Sequence, residues 1–229
     1  MYKEFNKSLL VWRKKLIMNK SKRSILTAVS AIALSIINGL FALVITKLII
    51  VEYGSDFNGL NSTANQFISM LLIFEGGFTI ATNVALFKPM AINDYDAINR
   101  ILSATRRIFN KIGVFFFLIG LGASIVYALI INTDLSPMTS FLVFIMTIIS
   151  TSFNLLYATK YRILLQSENK EYILNSIQVV TLILSQILIL GTIFFNGHML
   201  LVRFSTMLGA IFNSLLIAHI TKKRYKGIN

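Results

Sequence analysis

Long apolar runs alternate with short polar segments along almost the whole chain. A bilayer core about 30 Å thick needs roughly 20 apolar residues of helix. Turn-forming stretches such as YGSDFNG and NTDLSP separate the apolar runs. The pattern predicts an all-α membrane protein, a bundle over residues 25–220. Its six predicted spans are 25–50, 65–87, 108–131, 138–158, 173–195 and 199–220.

Composition and charge strengthen this interpretation. The 229 residues are 55% hydrophobic, and the net charge is +13. Eight Lys and Arg residues precede the first span, five flank the second connection, three flank the fourth and four follow the last span. Lys47 and Arg203 alone fall toward the other side. The positive-inside rule therefore predicts cytoplasmic termini, with outward connections after spans one, three and five. Basic residues spread between apolar runs argue against nucleic-acid binding.

Basic segments flank the predicted bundle at both ends. Residues 1–24 form a cytoplasmic leader that is predicted either to lie on anionic lipid as an amphipathic helix or to serve topology alone. Residues 221–229 form a basic cytoplasmic tail. Met18 is an alternative start. The apolar side of the leader carries Phe5, Leu9, Trp12 and Leu16, and the opposite side carries Lys3, Lys7 and Lys14.

Polar residues inside the spans concentrate on one side of several predicted helices. Lipid does not solvate amides and hydroxyls, so these faces are expected to meet other helices or a shared aqueous cavity. For any single such residue, a hydrogen bond to a neighbouring helix is the favoured explanation. Polar faces on four spans together favour a shared aqueous cavity. The candidate cavity and coupling residues are Asn38, Lys47, Asn65, Ser69, Glu75, Thr79, Asn83, Asn154, Gln178, Arg203 and Asn213.

Glu75 is the most unusual of these residues, because a charge in mid-membrane needs a partner, a proton or water. Three roles stay open: a protonatable coupling site, the partner of a cationic side chain, or a structural carboxylate bonded across helices. Lys47 and Arg203 are expected near the outer surface, where they either snorkel or line an outward mouth that attracts anions.

The sequence contains no recognisable catalytic motif. Metalloprotease, nucleophile-elbow and phosphate-loop patterns are missing, cysteine is absent, and the two histidines lie at span ends. We therefore expect neither an enzyme nor a bound cofactor, apart from a coupling proton or sodium ion.

Several short stretches resemble the start of oligosaccharide-lipid flippases, the Wzx-type polysaccharide exporters of the MATE-like superfamily. These stretches are NKSKRS before span one, YG and NGL before span two, EGG within it, LFKP at its end, and YRILLQSENKEYILNSIQ between spans four and five. The resemblance covers residues 19–229. It implies two six-helix bundles around a central cavity, and alternating access that moves a polyprenyl-diphosphate-linked glycan to the outer leaflet.

Because this chain carries six predicted spans, it is expected to be the N-terminal half of such a flippase in the bacterial cytoplasmic membrane. Its expected partners are membrane lipid, a lipid-linked oligosaccharide, and a second six-helix half or another membrane subunit. Two alternatives stay open. One is a non-transporting fragment or assembly subunit, and the other is a six-helix homodimeric transporter of another solute.

Overall fold

A computed structural model describes residues 2–92, 94–130 and 134–225, except for the side chains of residues 2–20 and 74. Within these ranges the chain is helical, without strands. The predicted all-α class is confirmed. The helices are α1 (Tyr2–Ile92), α2 (Tyr95–Ile130), α3 (Pro137–Tyr157), α4 (Thr159–Ser167), α5 (Glu171–Phe194) and α6 (Met199–Arg224).

Five stretches of the described residues are long and apolar enough to cross a membrane. No more than 39% of the most apolar window of each stretch is buried in the isolated chain, as expected for helices that face lipid. The chain is thus a multi-pass membrane protein. The five stretches are Ser21–Ile73, Tyr95–Ile130, Pro137–Tyr157, Glu171–Phe194 and Met199–Arg224.

The first helix is much longer than a bilayer requires. It runs for 91 residues and is interrupted at Gly54, where φ is 85° and ψ is 167°. Glycine lacks a Cβ and adopts a positive φ without steric cost. The first two predicted spans lie on either side of this kink. The predicted leader is continuous with the first of them, and its amphipathic side chains lie outside the described part of the chain.

Side-chain caps explain where three of the helices begin. The carboxylate of Asp94 accepts a hydrogen bond from the Ala97 amide at 2.9 Å, just before α2. Ser136 accepts from the Thr139 amide and precedes a proline at the first position of α3. His198 accepts from the Leu200 amide and caps α6. Each cap satisfies an amide that the helix itself leaves unpaired.

Contacts between connecting segments fall into two groups. In the first group, the kink of α1 meets two connections. Tyr53 donates to the Gly197 carbonyl between α5 and α6 at 2.8 Å, and Asp56 accepts from the Asp134 amide between α2 and α3 at 3.1 Å.

The second group gathers the other connections. Ser167 at the end of α4 donates to Asn83 of α1 at 2.7 Å. Leu86 of α1 shares a buried cluster with Ile98 of α2 and Ile163 of α4, against which Tyr225 packs after α6.

Candidate functional site

The main polar cavity lies between α3, α5 and α6, with α4 at one end. Its volume is about 680 Å³. Helices of this apolar character normally pack without polar voids, so a cavity with amide and hydroxyl walls points to a polar occupant. Its polar lining comprises Asn154, Arg162, Gln166, Glu171, Asn175, Gln178, Thr181, Ser185, Gln186, Thr206 and Asn213.

Hydrogen bonds between helices fix part of this wall. Asn213 of α6 donates to the Thr181 hydroxyl of α5 at 2.8 Å. Asn154 of α3 donates to the Ser214 hydroxyl of α6 at 3.1 Å and accepts from the guanidinium of Arg162. These bonds hold the amides in set orientations, so the wall presents fixed donors and acceptors to the cavity.

Two acceptors in this wall are left without a protein partner. The side-chain oxygens Oε1 of Gln166 and Gln186 are buried, and neither accepts a hydrogen bond from the part of the chain that the structure describes. An unsatisfied buried acceptor costs about 1–3 kcal/mol. A ligand that donates hydrogen bonds, such as one rich in hydroxyls, relieves that cost.

Glu75 lies deep in the bundle but not on the cavity wall. Its residue is 8% exposed, and its Oε1 accepts from the Thr79 hydroxyl one turn later, at 3.1 Å. Its carboxylate acts electrostatically on Arg162 of α4. Burial lowers the pKa of Arg162, and the Glu75 carboxylate opposes that shift by raising it. Arg162 lines the polar cavity and feels the charge of Glu75, so Glu75 and the cavity are linked electrostatically.

Arg203 forms a separate network. It is 8% exposed, and its Nε donates to the Thr147 hydroxyl of α3 at 3.0 Å. Its terminal nitrogen donates to Asn65 of α1 at 3.1 Å and also to Thr147. Arg203 thus lies inside the bundle rather than extending to the surface. All of these acceptors are neutral oxygens, so the guanidinium links α6 to α1 and α3 through hydrogen bonds to neutral side chains.

The remaining predicted residues are dispersed. Asn83 is bound to Ser167, as described above. Ser69 is exposed and donates to the Asn65 carbonyl of its own helix at 2.9 Å. Asn38 is exposed on α1, and Lys47 is exposed beside an apolar groove of the same helix. Of the eleven candidates, the structure places Asn154, Gln178 and Asn213 on the polar cavity.

Five charged or amide groups of the cavity are not among the eleven candidates: Asn175 and Gln186 of α5, and Arg162, Gln166 and Glu171. The last three lie beyond the fourth apolar run, in a segment expected to be a connection. Their spacing could have revealed two of them. Asn154, Arg162 and Gln166 lie eight and four residues apart, a spacing that places residues on one side of a helix. That side continues from α3 into α4. No cluster of metal-ligating side chains occurs among the described residues.

Comparison with known proteins found no matching family model, no matching curated protein and no matching solved structure.

Proposed function

We propose that this chain is the N-terminal half of a transporter that flips polyprenyl-diphosphate-linked oligosaccharide units across the bacterial cytoplasmic membrane. It works by alternating access and serves the synthesis of a surface polysaccharide. The observation that carries the proposal is the polar cavity among apolar helices, with its two unpartnered glutamine oxygens. The resemblance of the sequence to Wzx-type exporters supplies the substrate class.

The cavity chemistry suits such a substrate. Sugar hydroxyls donate to amide oxygens such as those of Gln166 and Gln186, and they accept from amide nitrogens. The guanidinium of Arg162 is the cation on the wall, and guanidinium groups bind phosphate oxygens in a fork. Glu171 is the anion on the same wall, which favours neutral or hydroxyl-rich groups over a uniformly anionic ligand.

A six-crossing topology is part of the proposal. The first group of contacts joins the kink at Gly54 to the α2–α3 and α5–α6 connections, and the second group joins the other connections. The chain crosses between the two groups once in each part of α1 on either side of Gly54, and once each in α2, α3, α5 and α6. This path gives six crossings of the bundle. The basic residues cluster at the second group, which we assign to the cytoplasm.

A second half is required because the polar surface is not closed within this chain. Gln178 lines the cavity yet is exposed, and Asn38 and Ser69 are exposed on α1. Exposed amides and hydroxyls are unfavourable against lipid hydrocarbon. In two-bundle transporters the substrate site lies at the interface, and one bundle rocks against the other.

Complementation tests the proposal. In a flippase-deficient strain, this chain alone should leave surface polysaccharide absent, and co-expression with a matching six-helix C-terminal half should restore it. Asn213→Leu, which removes a cavity amide, should reduce that restoration, and Leu118→Ile on the exposed face of α2 serves as the matched control. Full rescue by this chain alone, with a crosslinked homodimer, overturns the half-transporter in favour of a homodimer. Binding to polysaccharide-polymerising proteins without any flipping favours an assembly subunit.

A further inference from the structure

Three asparagines on the wall of the polar cavity form the same hydrogen-bond arrangement. Asn154, Asn175 and Asn213 each donate through Nδ2 to a hydroxyl on a neighbouring helix. Each of these hydroxyls donates in turn to a backbone carbonyl of its own helix, at 3.0 Å in every case. The accepting hydroxyls belong to Ser214 of α6, Ser30 of α1 and Thr181 of α5.

The hydroxyl determines which way each amide is turned. A serine or threonine hydroxyl has a single hydrogen, and here that hydrogen is committed to a carbonyl of its own helix. The hydroxyl can therefore only accept from the asparagine. The amide must present its nitrogen to the hydroxyl, and its oxygen points away from this contact. The orientation of the amide follows from the chemistry of the network.

The oxygens that face away from these contacts are the available atoms. Oδ1 of Asn154 accepts from the guanidinium of Arg162, which shows one such position filled by a donor of the protein. Within the described part of the chain, Oδ1 of Asn175 and Oδ1 of Asn213 have no hydrogen-bond partner. Both residues are partly exposed on the cavity wall. The cavity thus offers two fixed acceptors to an occupant.

The hydroxyls of the wall do not balance these acceptors with donors. Ser185 donates to the Thr181 carbonyl at 2.9 Å, and Thr206 donates to the Val202 carbonyl at 2.9 Å. Their hydrogens are used within their own helices, so towards the cavity these hydroxyls can only accept. Gln178 forms no hydrogen bond with a described residue, so its amide can present either atom. The fixed polar atoms between α5 and α6 are therefore mainly acceptors.

We propose that Asn175 and Asn213 make the cavity selective for hydrogen-bond donors, so that it recognises an uncharged ligand through its hydroxyl hydrogens. The inference deepens the proposed function, on which it rests for identifying that ligand as a glycan. Ser30 and Thr181 are then positioning residues for selectivity. A ligand group that only accepts would oppose an oxygen with an oxygen and leave both unpaired, which disfavours its binding.

Uncharged probes isolate this effect from the charges of Arg162 and Glu171. The probes are methyl glucoside and its single O-methyl ethers, in each of which one hydroxyl becomes an ether oxygen that accepts but cannot donate. Binding to the purified full chain in phosphatidylcholine nanodiscs is measured by saturation-transfer NMR titration. At least one ether should bind about tenfold more weakly than the glucoside, because its oxygen meets a fixed acceptor.

A matched pair of variants separates the orientation of the amide from the space around it. In Thr181→Val the Asn213 amide faces a methyl group instead of a hydroxyl, so either of its atoms can turn to the cavity. The discrimination between glucoside and ether should fall to about twofold, although the amide itself is kept. Thr192→Val makes the same change on α5 at a hydroxyl that donates only to its own helix and lies off the cavity. It should keep the parent discrimination.

Ser30→Ala makes an independent test at Asn175, and it covers the case in which Thr181→Val does not fold. It should likewise reduce the discrimination while the glucoside still binds. A merely structural role of either hydroxyl would change stability or the affinity for all probes together, and would leave their ratio unchanged. That result overturns the inference, as would equal binding of the glucoside and its ethers by the parent, or the absence of saccharide binding.

The outcomes also separate this inference from the transport proposal. Donor selectivity in a protein that fails to support transport with any second half leaves the selectivity standing and removes the flippase. Transport by the two-half assembly, without discrimination between the glucoside and its ethers, removes the donor selectivity alone.

Discussion

Arg203 on α6 and Thr147 on α3 are joined inside the bundle by a hydrogen bond of 3.0 Å from Nε to the hydroxyl oxygen. The same hydroxyl donates to the Val143 carbonyl at 2.7 Å, so it is fixed in orientation by its own helix. The helix that supplies the acceptor therefore also determines where the cation lies. Asn65 completes the arrangement from α1.

Thr147→Val should destabilise the protein because it leaves the buried guanidinium with fewer acceptors. Hydrogen bonds to charged groups contribute about 1.5–3 kcal/mol, so we expect a loss in that range, measured as a lower unfolding midpoint in detergent. Thr151→Val is the control, since the Thr151 hydroxyl donates only to a carbonyl of its own helix, at 3.1 Å. Equal losses from the two substitutions would contradict the bridging role.

Glu75 and Arg162 should be energetically coupled, because removing either charge leaves the other less compensated. In a double-mutant cycle of Glu75→Gln and Arg162→Gln, the double variant should be more stable than the sum of the single losses predicts, by about 1 kcal/mol. Glu75→Gln combined with Lys160→Gln provides the control cycle, since Lys160 lies over the ring of Tyr161. Additive losses in the first cycle would remove Arg162 as the partner of Glu75.

If Glu75 couples transport to protons, Glu75→Gln in the two-half assembly should abolish the response to a pH gradient and leave folding intact. Glutamine keeps the shape of the side chain and removes its titration. The measurement is flipping of a fluorescent lipid-linked glycan in liposomes with and without an imposed gradient. A sodium gradient applied to the same liposomes tests whether sodium is the coupling ion instead of the proton. Parent-like transport by both Glu75→Gln and Glu75→Ala supports a structural carboxylate.

Membrane topology can be measured with single cysteines, because the native chain contains none. An impermeant maleimide added to intact cells should label cysteines at Ser55 and Asp134, and should label Asp96 and Lys222 only after permeabilisation. All four positions are exposed. The Ser55 and Asp96 pair also tests whether the second part of α1 crosses the membrane. The opposite pattern at both pairs would invert the orientation.

The ends of the later helices were predictable within a few residues. The apolar runs predicted spans at 173–195 and 199–220, and α5 and α6 cover Glu171–Phe194 and Met199–Arg224. Turn residues at Asn196 and Gly197 end one run, and His198 caps the next. Local chemistry determines these boundaries, so a single sequence is sufficient to predict them.

The sequence was less informative wherever the answer depends on a second helix. The stretch YGSDFNG has the composition of a turn, yet the structure keeps most of it helical and bends only at Gly54. Periodicity placed Glu75 on a polar face but did not reveal that its charge acts on Arg162 of α4. Arg162 and Gln166 follow the apolar run, so hydropathy assigned them to a connection. The spacing of residues defines which of them share a face of one helix. Which face of a neighbouring helix packs against it is determined by tertiary packing.

Lys170, Glu168 and Tyr225 form a polar cluster beside the end of α6. The ammonium group of Lys170 lies 2.8 Å from the Tyr225 hydroxyl, and that hydroxyl donates to the Glu168 carboxylate, which pairs with Lys170. Tyr225→Phe removes the shared hydroxyl and should lower stability by about 1–2 kcal/mol, measured by thermal unfolding. Tyr157→Phe, at a ring that is 52% exposed and stacked on Phe153, is the matched control.

The pH dependence of this loss gives an independent test. Burial, followed by the hydrogen bond and charge of Glu168, raises the pKa of Tyr225 above that of an ordinary tyrosine. A group whose pKa is higher in the folded state contributes its full stability below the unfolded pKa, which for tyrosine is about 10. That contribution is lost as the pH rises toward the folded pKa. The stability gap between parent and Tyr225→Phe should therefore be constant from about pH 7 to 9 and narrow above about pH 10. A gap that closes below pH 9 would show that the Tyr225 hydroxyl does not hold Lys170 and Glu168 together.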